Sequence, residues 1–151
     1  MKSQHLSSIK LIGAVLVLTL VMLVPVTLAA SGEIPPGAYS TTVTAADLPP
    51  DFPPEFAVIL IGTWTVEFDG DGVTEAYKDG DLVAFGRYTS NKSHLVMTDT
   101  GGPLACLDAR GIATGVYTWR LTGGGELELT PVLDRCFGRQ FVLTLRSLEQ
   151  Q

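Results

Sequence analysis

The chain has 151 residues, ten Lys and Arg against sixteen Asp and Glu, and a formal charge of −6. That length suits one domain. The acidic balance argues against the broad basic face that nucleic acid or an anionic membrane surface would need. Two cysteines, with His94 the one histidine beyond the first 30 residues, are too few ligands for a four-coordinate metal centre.

Residues 1–30 read as a secretory signal peptide. Met1 to Lys10 carries Lys2 and Lys10 and no acid, and Leu11 to Val24 is apolar apart from Gly13 and Thr19. Pro25 and the small-residue exit Thr27-Leu28-Ala29-Ala30-Ser31 follow, with cleavage expected after Ala29. The alternative is an uncleaved membrane anchor, because Leu11 to Ala30 is long enough to span a bilayer. Pro25 favours the terminated signal. Both readings place the rest of the chain outside the cytoplasm, either secreted or tethered to the membrane. All sixteen acids but only eight bases lie beyond Ala30, so the exported part carries a formal −8.

Residues 31–53 read as an extended Pro/Thr-rich arm. Pro35-Pro36, Pro49-Pro50 and Pro53-Pro54 rule out a continuous helix or a central strand across it. Pro54 to Ile61 predicts a short helix, with proline in its first turn and Gly62 at its stop. Its spacing points Phe56, Ile59 and Leu60 inward.

From Gly62 the apolar period becomes two. Trp64, Val66 and Phe68 alternate with polar residues, and Asp69-Gly70-Asp71-Gly72 is a hairpin turn. Strands follow at Thr74 to Lys78, Leu82 to Thr89, Ser93 to Thr98, Thr114 to Leu121, Glu126 to Val132 and Arg139 to Leu148, with an eighth near Leu104 to Ala109. Regularly spaced short strands joined by tight turns predict an all-β fold over residues 54–151, a small antiparallel up-and-down barrel of seven to eight strands. Closure would remove exposed edges.

Two hairpins repeat one pattern. Gly86-Arg87-Tyr88-Thr89 leads to Leu95-Val96-Met97-Thr98, and Gly115-Val116-Tyr117-Thr118 leads to Leu127-Glu128-Leu129-Thr130. Each copy is followed by a loop with one cysteine. Matched places in two copies of a meander lie at the same end of the sheet, so Cys106 and Cys136 can be neighbours. In an oxidising compartment they are expected to form a disulfide.

Leu60-Ile61-Gly62-Thr63-Trp64 entering a strand, the meander and a late arginine resemble the lipocalin-like, or calycin, superfamily. The resemblance runs from Leu60 to Leu148. It implies that Trp64 closes one barrel end and that an arginine, Arg146 before Arg139, packs across it as a cation–π contact. Thr98-Asp99 matches the middle signature of that superfamily without its arginine. The chain is also similar to small exported bacterial domains with G-x-Y-x-W, here Gly115 to Trp119, and D-x-C-x-x-R, here Asp134 to Arg139. That likeness implies a fold and no activity.

Other constellations reduce to local chemistry. Asp69-Gly70-Asp71-Gly72 has Val73 where a calcium loop needs a ligand, so it reads as a turn. Ser93 and His94 are adjacent along a strand, which predicts side chains on opposite faces and no nucleophile–base pair. Asn91-Lys92-Ser93 is a glycosylation sequon on a turn. The expectation is an exported, non-enzymatic domain without cofactor or metal. It would bind a small apolar ligand at a barrel mouth lined by Tyr88, Tyr117 and Trp119. The alternative is a packed structural or protein-interaction module with no ligand.

Overall fold

The computed structural model of the protein describes residues 32–107 and 113–151. The signal or anchor segment expected at residues 1–30 lies outside the described residues, as do residues 108 and 109 of the eighth strand expected near Leu104 to Ala109; the described part of that stretch, Leu104 to Leu107, is turn and loop and not strand. Among the described residues no helix is long and apolar enough to cross a membrane.

The fold is all-β, an antiparallel, nearly closed eight-stranded barrel. Its strands are β1 (Gly37–Val43), β2 (Gly62–Phe68), β3 (Val73–Lys78), β4 (Asp81–Ser90), β5 (His94–Gly101), β6 (Thr114–Leu121), β7 (Leu127–Leu133) and β8 (Glu149–Gln150). Helix α1 (Pro54–Leu60) precedes β2, and α2 (Phe137–Thr144) joins β7 to β8. The sheet order is β7-β6-β5-β4-β3-β2-β1-β8, so seven consecutive strands, β1 to β7, form a plain meander.

Two other elements differ from expectation. The arm contributes β1, which pairs with β2 along its whole length, Gly37 opposite Phe68 and Val43 opposite Gly62. No proline lies inside that stretch, and Tyr39, Thr41 and Val43 turn inward at period two. The segment Arg139 to Leu148, expected as the last strand, forms most of α2 instead. A short apolar run satisfies either period, and here the helical one wins because Val142 and Leu143 are both buried.

Closure is partial. β1 meets β8 only at Tyr39 and Ser40, and Leu127 and Leu148 exchange two backbone hydrogen bonds of 2.8 Å. Beyond that bridge α2 lies against β7 and drops Val142 into a cluster with Val43 of β1, so the helix occupies the remaining seam.

The barrel has two unlike ends. The turns after β2, β4 and β6 make a hairpin end, where Ile34 N donates to Ser90 Oγ at 3.1 Å. The helical end holds α1, the Asp79-Gly80 turn, the Cys106 loop and the start of α2. The core divides accordingly. The larger cluster includes Tyr39, Phe68, Tyr88, Leu95, Met97, Tyr117 and Leu129. A second, at the helical end, joins Val43, Leu60, Trp64, Val83 and Val142. Ala76 packs against both.

Candidate functional site: a cavity between two cores

A cavity of ≈ 250 Å³ lies where the two clusters meet. Its wall is mainly apolar: Leu60, Trp64, Val66, Ala76, Met97 and Val142 contribute from α1, β2, β3, β5 and α2. Ile59 and Phe85 also line it and are 41% and 42% exposed, so the cavity reaches the surface between α1 and β4. Helix α1 crosses this end with only Leu60 buried; Phe56 and Ile59, expected inward, are exposed. The Trp64 indole Nε1 donates to Leu60 O at 2.8 Å and fixes the helix end to β2. Gly62, at φ +145°, allows the step between them, and a side chain there would strike the Asp79 carboxylate that accepts from Thr63 N.

The polar part of the wall is Thr74, Asp99 and Arg139. Thr74 is 4% exposed and its hydroxyl has no hydrogen-bond partner among the described residues. Arg139 holds a buried network together. Its Nε and Nη2 donate to the two oxygens of Asp134 at 2.7 and 2.9 Å, a bidentate pair. Its Nη1 donates to Ala113 O at 2.6 Å and lies 3.0 Å from Asp99 Oδ1. The Tyr117 hydroxyl donates to Asp134 Oδ2. Cys106 N donates to Asp99 Oδ2 and Cys136 N to Asp134 Oδ1, both at 2.8 Å.

The electrostatics follow from this packing. Burial works against the Arg139 charge, but the bonds to Asp134 and the charges of Asp99 and Asp134 outweigh it, holding the guanidinium above its ordinary value. Burial, and then the bond to Asp134, push the Tyr117 phenol well above its own.

The two cysteines also line the cavity, with Cα atoms 5.9 Å apart and sulfurs at disulfide distance. The repeat thus explains their meeting. It also explains the motifs. A Cβ on Gly115 would fall against Asp134 Oδ2 and the Tyr117 ring, so the glycine makes room for the carboxylate that Tyr117 and Arg139 bind. Trp119 Nε1 donates to Asn91 O at 2.8 Å and pins the turn between β4 and β5.

Several expected roles fall elsewhere. Tyr88, Tyr117 and Trp119 do not line this cavity. Tyr88 and Tyr117 are packed core, and Trp119 lies partly buried against the same cluster. Tyr88 stacks edge-on against Phe68 at 4.8 Å and accepts from Gly70 N. It also borders a separate cleft at the hairpin end with Glu33 and Ser90. Neither arginine is in cation–π contact with Trp64 among the described residues. Arg139 is taken by its carboxylates, and Arg146, which follows α2 rather than ending a strand, pairs with Asp47 at the surface. Ser93 Oγ and His94 Nδ1 are hydrogen-bonded at 2.9 Å, against the expectation of opposite faces. Ser93 lies in the turn before β5, where strand alternation does not apply. Both residues are exposed, and their backbone N–H groups donate to Asn91 Oδ1, so these form no oxyanion site. Asp69 Oδ1 accepts from Asp71 N and Val73 N, the turn chemistry expected of Asp-Gly.

The sequence reading missed Thr74 and Asp99. The alternation Leu95, Met97, Asp99 puts an acid at an inward position of β5, and that was the available signal. Comparison with family models, curated proteins and solved structures returns no match.

Proposed function

We propose that this chain is an exported, non-enzymatic, lipocalin-like barrel that holds a small apolar molecule in the cavity at its helical end. The observation that carries this reading is the cavity itself: ≈ 250 Å³, mainly apolar, and open to the surface beside Ile59 and Phe85. An apolar cavity of about 150 Å³ is enough to hold benzene. Scaled from that, this one takes roughly ten non-hydrogen atoms. The signal-like leader and the cysteine pair at disulfide distance support an oxidising, extracytoplasmic setting.

The test uses N-phenyl-1-naphthylamine, whose ten-carbon naphthyl group matches that capacity with its phenyl ring left at the opening beside Ile59 and Phe85, and whose fluorescence rises in an apolar site. The wild-type protein is expected to bind it saturably. Ala76→Phe, which fills the space between the two clusters, is expected to abolish the signal while the far-UV spectrum stays that of a folded barrel. Absence of saturable binding to the native protein would reject the ligand reading.

A second reading, a protein-interaction module, draws on one observation. Phe56, Val58 and Phe137 are 55%, 73% and 59% exposed, all at the helical end. Apolar side chains gathered in one region mark contact surfaces more often than scattered ones do. This reading requires no ligand and survives if the probe fails to bind.

A further inference from the structure

The polar wall of the cavity carries two carboxylates and one guanidinium. Arg139 donates Nε–H, one Nη2–H and one Nη1–H to Asp134 and Ala113 O, three of the five donors an arginine has, and its Nη1 also lies 3.0 Å from Asp99 Oδ1. Its fork is closed by Asp134, so an incoming carboxylate finds no bidentate partner. It meets Asp99 instead, which faces the cavity with Arg139. The network as a whole is formally −1.

Thr74 supplies the complementary observation. It is 4% exposed and lines the cavity, and its hydroxyl is buried without a partner among the described residues. Such a group costs stability until something bonds it. Register places it in a row with Asp99. Thr74 pairs with Gly86, and Gly86 pairs with Asp99, so the two polar residues flank a position that has no side chain. Two strand spacings separate them, roughly 10 Å between Cα atoms. Both side chains line the cavity, and Gly86 lets the two strands approach closely, since a Cβ there would strike Thr98 O and Asp99 Cα.

Resting on the ligand reading above, we propose that the cavity selects neutral apolar molecules bearing a hydroxyl, medium-chain alcohols as a class, over free carboxylic acids. The ligand hydroxyl donates toward the Asp99 carboxylate, which still has acceptor capacity beside Arg139 and Cys106 N, and it satisfies Thr74. A carboxylate ligand would bring like charge to Asp99, and the Nε/Nη2 fork of Arg139 that could pair with it is already held by Asp134.

The experiment is competition of bound N-phenyl-1-naphthylamine by 1-octanol and by octanoate at pH 7.5. Octanol is expected to displace the probe, and octanoate to be weaker by about tenfold or more. Asp99→Asn leaves a network of zero formal charge and should narrow that gap. Thr74→Val keeps the shape and removes the hydroxyl. It should weaken octanol several-fold more than it weakens the probe, with the far-UV spectrum of a folded barrel, so the proposal stays testable if the Asp99 variant fails to fold. Octanoate competing as well as octanol would overturn the selectivity and leave the ligand reading standing. Octanol weakened no more than the probe in folded Thr74→Val would equally overturn it. A native protein that binds no probe and neither competitor would overturn both.

Discussion

Arg139→Met removes the one cation of a buried network and leaves both carboxylates behind. The Arg139, Asp99 and Asp134 side chains are 8%, 9% and 0% exposed, so water cannot take over the lost role. Breaking a buried pair by deleting one partner costs about 3 to 5 kcal/mol, mostly because a charge is stranded. Here two are stranded, and Ala113 O loses its donor as well, which sets the expectation at the upper end of that range. For a domain of this size it corresponds to roughly 12 to 20 °C in Tm. The assay is urea unfolding of the oxidised protein followed by tryptophan fluorescence. Arg146→Met is the control, since its pair with Asp47 is at the surface and worth ~1 kcal/mol or less. Adding Asp99→Asn to Arg139→Met removes one stranded charge and should recover ~1 kcal/mol or more. A loss in Arg139→Met no larger than that of Arg146→Met would show that the network does not hold the helical end together.

Three other outcomes follow from the same region. Gly115→Ala should destabilise by ~1 to 3 kcal/mol, because its Cβ displaces Asp134 from Tyr117 and Arg139; calorimetry would show a lower Tm, and an unchanged Tm would contradict the packing role. Tyr117 retains its proton in the folded state to higher pH than in the unfolded chain, so its contribution is complete below about pH 10 and is lost as pH rises above it. Tyr117→Phe should therefore flatten the alkaline loss of stability, and identical pH–stability curves above pH 10 would refute this. Replacing Cys106 and Cys136 together by serine reopens a loop with a sequence separation of 30, costing about 3 to 4 kcal/mol on the chain-entropy model. Two alkylatable thiols in the native protein would remove the basis for that expectation.

The strands from β2 to β7 were legible because each is short, alternating and bounded by Gly, Asp or Asn. So was the meeting of the cysteines, which needed only the repeat. β1 was hidden by its flanks: prolines on both sides suggested an arm, although none falls within Gly37 to Val43. α2 was hidden by degeneracy. Phe141, Leu143 and Leu145 alternate like a strand, while Val142 and Leu145 follow a helical stripe. Register cannot be chosen until the Asp134–Arg139 pair and the Cys136 link fix where the segment starts. The site was legible only in part. Sequence favoured aromatics for a ligand mouth, but large side chains fill a small barrel, and Tyr88 and Tyr117 do so. The open volume falls instead where small residues, Ala76 and Ala84, face each other across β3 and β4. Small size at facing positions is a property of pairing, which becomes visible only once the register is known.

The most direct measurement of where a ligand sits is a methyl-resolved NMR titration of the native protein with 1-octanol. Binding in the cavity predicts saturable shifts at the Met97, Ala76, Leu104 and Val142 methyls, with Leu121 and Ile34 at the hairpin end unmoved. Shifts confined to the hairpin end, or no saturable shift at any methyl, would contradict it.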